Sequence, residues 1–165
     1  MKRTFLCALV IGLSLGGCLT PAAQRKLIDS VNEAQLASAQ TYDTAKAVQT
    51  AAQTACAAAL RAKGAPLPTE PSVIRATCAS VGSPVPYDPV KLQQAAGPIN
   101  ALYDAVRYAN TQRLAGSGDA PAAVLGGLVG AFEQVIADLT AAGISVPKTI
   151  TDTVATVKAA TGSTP

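Results

Sequence analysis

The 165-residue chain contains no histidine and no tryptophan. Without histidine it lacks the side chain that most often acts as a general base near neutral pH and most often ligates a transition metal. Charged residues make up only 14% of the chain, against about a quarter in typical soluble domains. Apart from the pairs Lys2-Arg3 and Arg25-Lys26 the basic residues stand singly, with no stripe of the kind that tracks a phosphate backbone, so nucleic acid is not expected as a partner. Neither strand-like alternation nor an internal repeat occurs. Aromatics are scarce at 4%, and alanine supplies much of the 49% hydrophobic share. Alanine buries little area per residue, which predicts closely packed helices around a shallow core.

What is present begins with Lys2 and Arg3, a short positive segment, followed by an apolar run over 4–15. Leu15-Gly16-Gly17-Cys18 follows at once. This is the order of parts in a secretory leader, and the run is too short for a permanent membrane span. Small residues at 16 and 17 suit a peptidase cleft, and the Cys18 thiol is a nucleophile able to accept a diacylglycerol. The tetrapeptide resembles the bacterial lipobox, in which a lipoprotein signal peptidase cuts just before the modified cysteine. The resemblance implies a removed leader, 1–17, and a mature chain anchored to the membrane by lipid on Cys18. More than one acyl chain is needed for firm anchoring, and lipoproteins of this kind carry three. Leu19 stands where an Asp would retain a lipoprotein in the inner membrane in the enteric sorting pattern, so outer-membrane sorting is expected. With Lys2 and Arg3 gone, 11 basic residues face 10 acidic ones.

Behind the anchor the pattern predicts an all-α fold over 18–160: a long N-terminal helix packed in an alanine-rich antiparallel bundle, and a disordered tail at 161–165. Thr20-Pro21 reads as a helix start, and neither Gly nor Pro interrupts the chain until Gly64. A heptad-like seam of small residues runs from Leu27 through Ala34 and Ala45 to Val48, Ala55 and Ala59. Prolines 66, 68 and 71 mark a loop, and a short helix is expected over 70–81. Asp88 caps a third helix to Leu114, which Gly97-Pro98 should kink or divide. Asp119 caps a fourth over 120–142, carrying Leu125, Leu128, Phe132, Val135 and Leu139. A fifth spans 147–160 with Ile150, Val154 and Val157 inward.

Cys56 and Cys78 remain as a pair in an oxidising compartment. Each lies about 11 Å from the loop of the first helical hairpin, which sets them side by side. A structural disulfide is expected, stabilising by about 3 kcal/mol. Gly126, Gly127 and Gly130 include a Gly-x-x-x-Gly spacing, which predicts a close helix crossing inside the bundle. Glu133 and Asp138 interrupt any transmembrane stretch there. Tyr42, Tyr87, Tyr103 and Tyr108 bridge core and surface, and Arg61, Lys63 and Arg75 flank the first loop as solvated cations. Asp29, Glu33 and Asp43 sit along the long helix at exposed-looking positions, and without a pocket they do not make an acid/base pair.

These observations favour a non-enzymatic structural or interaction protein of the cell envelope, facing the periplasm, without cofactor or metal. An anchor followed by a long helix is similar in layout to the major outer-membrane murein lipoprotein, although this chain ends in Pro165 rather than the wall-linked lysine of that family. The alternative is a phage- or prophage-encoded envelope lipoprotein acting in lysis or superinfection exclusion. A protein partner in the envelope is expected, and self-association is allowed. The contact face predicted for it is a stripe of Ile28, Gln35, Tyr42 and Gln49, which recur every seven residues.

Overall fold

The computed structural model describes residues 21–114 and 122–162. Among these, five helices and no strand occur: α1 (Pro21–Ala62), α2 (Pro71–Ser80), α3 (Pro89–Leu114), α4 (Ala122–Ala141) and α5 (Lys148–Thr161). Cys18, Thr20, Asp119 and 163–165 lie outside the described residues.

Local chemistry fixes the boundaries. Asp88 caps α3 as expected, its Oδ1 accepting the backbone N–H groups of Val90 at 2.9 Å and Lys91 at 3.0 Å. Helices α1 and α4 end alike, on Gly64 and Gly143 with φ of 72° and 86°. There the next residue's N–H returns to a carbonyl five positions back, Ala65 to Leu60 and Ile144 to Leu139, both at 2.9 Å. The expected break at Gly97-Pro98 does not divide α3, which is continuous through Pro98. The carbonyl that loses its partner belongs to exposed Gln94, where water can satisfy it, while Ala95 and Ile99 are buried on either side. Helix α5 includes Thr161, the first residue assigned to the tail.

Helices α1, α3, α4 and α5 form an up-and-down bundle. Asn32 pairs with Asn110 at one end of α1–α3, and Gln49 with Tyr87 towards the other, so these helices are antiparallel. The Asp88 N–H meets the Ala142 carbonyl at 3.2 Å, which sets the start of α3 beside the end of α4. A salt bridge between Glu133 and Lys158 pairs the middle of α4 with the end of α5. Between them lies one core, in which Phe132, Leu102, Leu128, Leu139, Ile150 and Val157 are fully buried. Each such side chain contributes about 1.5–3 kcal/mol, so a few larger residues on α3, α4 and α5 supply what alanine on α1 does not.

The C-terminal part of α1 carries a second, smaller core made with α2: Cys56, Leu60, Ile74, Cys78 and Val85. Leu27, Val31, Ala34, Ser38 and Ala45 are buried as the seam predicts, but beyond Ala45 the inward line departs from it. Gln49, Cys56 and Leu60 are buried, whereas Val48 is 44% exposed and Ala55 is exposed. A straight helix repeats near 3.6 residues, so a 3.5-residue seam drifts about 20° per heptad and leaves the core after three heptads.

Candidate functional site

Two features of α1 stand out: a polar joint between the cores, and the long face opposite them. At the joint, Gln49 is 4% exposed. Its side-chain oxygen accepts the Tyr87 backbone N–H at 3.2 Å, which pins the 82–88 loop onto α1. Its amide nitrogen is buried and has no partner among the described residues. About two helical turns later begins the small core, closed by a disulfide between Cys56 and Cys78, both wholly buried. The sequence-predicted pair is thus joined, and its sulfurs are shielded from attack.

The predicted contact stripe is not a surface. Ile28 is 3% exposed, Gln49 is buried at the joint, and Gln35 and Tyr42 are half-buried, with Tyr42 packed on the main core. The four were picked at heptad spacing from a helix that repeats near 3.6. Ile28 is an extra inward residue beside Leu27, and by Gln49 the drift has carried the line into the core.

The glycines of α4 also depart from expectation. Gly126, Gly127 and Gly130 are exposed, and a Cβ at any of them would meet no heavy atom within 4 Å. Among the described residues no helix crosses closely there. Helix α4 is long and apolar enough to cross a bilayer by composition, yet Leu125, Leu128, Phe132, Val135 and Leu139 are committed to the bundle core. Its glycines fall on the opposite, solvent-facing side.

The remaining candidates are dispersed. Asp29, Glu33 and Asp43 are all exposed on α1, and no group of three metal-ligating side chains gathers among the described residues. Tyr87 is half-buried and packs on the main core, whereas Tyr103 and Tyr108 are 53% and 55% exposed. Arg61, Lys63 and Arg75 are exposed around the small core. A shallow groove between α4 and α5 is lined by Ile136, Ala137, Val154 and Ala155, with the Glu133–Lys158 bridge at its edge. None of these sets a nucleophile beside a base in an enclosed space.

The face that sequence reasoning missed lies on α1 opposite buried Ala45, Gln49, Cys56 and Leu60. Ala47, Thr50, Ala51, Thr54, Ala55 and Ala58 form an exposed, mostly apolar strip, with Asp43 and Lys46 at one end. The Thr50 and Thr54 hydroxyls donate to the Lys46 and Thr50 carbonyls at 2.8 and 2.9 Å. Folding both hydroxyls back on their own helix makes the strip less polar than its composition suggests. Ala47, Ala51 and Ala58 were legible as helix formers only, and Ala55 was read into the seam. Compared with known proteins, the chain matches no family model, no curated protein and no solved structure.

Proposed function

We propose that the protein is a lipid-anchored component of the bacterial cell envelope, facing the periplasm, which acts by binding rather than by catalysis. The observation that carries this reading is the register of Lys2-Arg3, the apolar run 4–15 and Leu15-Gly16-Gly17-Cys18. Two structural facts support it. Helix α1 begins at Pro21, three residues past Cys18, so an acyl group there is attached directly to a packed bundle without a long tether. The buried Cys56–Cys78 bond suits an oxidising compartment. Binding is favoured over catalysis because Asp29, Glu33 and Asp43 lie exposed along α1, where no enclosed space brings a nucleophile beside a base. Leu19, not Asp, after the anchor favours the outer membrane.

The test is metabolic labelling with palmitate in cells expressing the full chain or Cys18→Ser. Label in the membrane fraction, lost in the variant, is the expected result. A variant that still takes up label and still sediments with membranes would refute the anchor.

A further inference from the structure

We propose that a second copy of this chain docks antiparallel on the exposed face of α1 between Asp43 and Arg61. The inference rests on this face alone and holds whether or not Cys18 carries lipid.

Asp43, Ala47, Thr50, Thr54, Ala58 and Arg61 are all exposed and recur at four and three along α1. Asp43 and Arg61 are five full turns apart at 3.6 residues per turn, so the six lie along one line, about 27 Å long. The line faces away from buried Ala45, Gln49, Cys56 and Leu60, so neither the bundle nor α2 covers it. Alanine and back-bonded threonine let two helix backbones approach closely.

Charge chooses the direction. In a two-fold antiparallel pair centred on Ala52, Thr50 of each copy faces Thr54 of the other. Ala47 faces the Ala57–Ala58 level, and Asp43 faces Arg61. The two-fold axis repeats each contact, so the pair gains two such ion pairs from one surface. A parallel, in-register pair would instead set Asp43 on Asp43 and Arg61 on Arg61, which repel. Neither residue has a salt bridge among the described residues that pairing would have to break. The strip is short of a standard interface, so the affinity expected is in the micromolar range, about 10 µM. An antiparallel pair sends the two α1 N-termini in opposite directions. Under the proposed anchoring, both reach one bilayer with α1 lying along its surface, not standing away from it.

The test is sedimentation equilibrium of the full chain at about 100 µM, solubilised in detergent at matched buffer density, with helicity checked by circular dichroism. At that affinity the wild type should have a weight-average mass of about 1.8 chain masses. Asp43→Arg and Arg61→Asp should each weaken association about tenfold or more through like-charge contact, and the double variant should restore it. A monomeric wild type would overturn the proposal. So would single variants that dimerise like wild type, or a helical double variant that remains monomeric.

Discussion

The side-chain oxygen of Gln49 accepts the backbone N–H of Tyr87 at 3.2 Å, while the amide nitrogen of the same side chain is buried without a partner among the described residues. The residue at the joint between the two cores thus carries one satisfied and one costly polar group. Gln49→Leu removes the acceptor, a loss of about 1 kcal/mol, and also the orphaned donor, a gain of about 1–3 kcal/mol. Its stability should match or exceed wild type. Gln49→Ala removes the same atoms but opens a void, and should lose about 2 kcal/mol. Urea titration followed by circular dichroism measures both; a Gln49→Leu variant less stable than wild type by about 1 kcal/mol or more would show that the amide nitrogen costs nothing.

The disulfide should act locally. Cys56 and Cys78 are separated by 22 residues, and closing a loop of that size stabilises by about 3 kcal/mol in the chain-entropy view. They belong to the small core rather than to the bundle. In the Cys56→Ala/Cys78→Ala variant, amide exchange should accelerate across 71–81 and change little in α3, α4 and α5. Uniform acceleration throughout would mean that both cores unfold as one unit.

Alanine should improve α4. Gly126, Gly127 and Gly130 lie within a helix, have open space where a Cβ would go, and do not have positive φ. Each Gly→Ala change should raise stability by about 0.5–1 kcal/mol through helix propensity. Destabilisation, measured as a fall in the thermal midpoint, would reveal a close contact on that face.

Ile28→Lys should unfold the N-terminal half of α1, costing upwards of about 3 kcal/mol, because a cation would replace a side chain that is 3% exposed. A folded variant with native amide protection would place Ile28 at the surface.

That last case shows where the sequence was legible. Leu92, Ile99, Leu102 and Val106 on α3, and Leu125, Phe132 and Leu139 on α4, are buried as their spacing predicts. Large apolar residues among polar neighbours mark a face unambiguously. Through the middle of α1, inward Ala34, Ser38 and Ala45 and outward Ala47, Thr50 and Thr54 are alike small, so the register had to be extrapolated, and a 3.5-residue repeat lost the core beyond Ala45. Gln49 was assigned outward by its heptad spacing from Ile28, Gln35 and Tyr42, although it is buried and accepts a hydrogen bond from the Tyr87 backbone N–H. The Cys56–Cys78 bond was legible because each cysteine lies a similar distance from one loop. The glycines of α4 were misread because spacing shows that a close approach is possible, not that a partner is there. The strip from Asp43 to Arg61 became visible only when the helix's exposed side was known.

The central claim is that Cys18 carries the lipid anchor, and the most direct measurement is mass spectrometry of the N-terminal peptide of the full-length gene product recovered from bacterial membranes. The account predicts a peptide that begins at Cys18, lacks 1–17, and carries the mass of a diacylglycerol with or without a third acyl chain on that residue. A peptide that retains Lys2 and Arg3, or one that begins elsewhere with an unmodified Cys18, would contradict it.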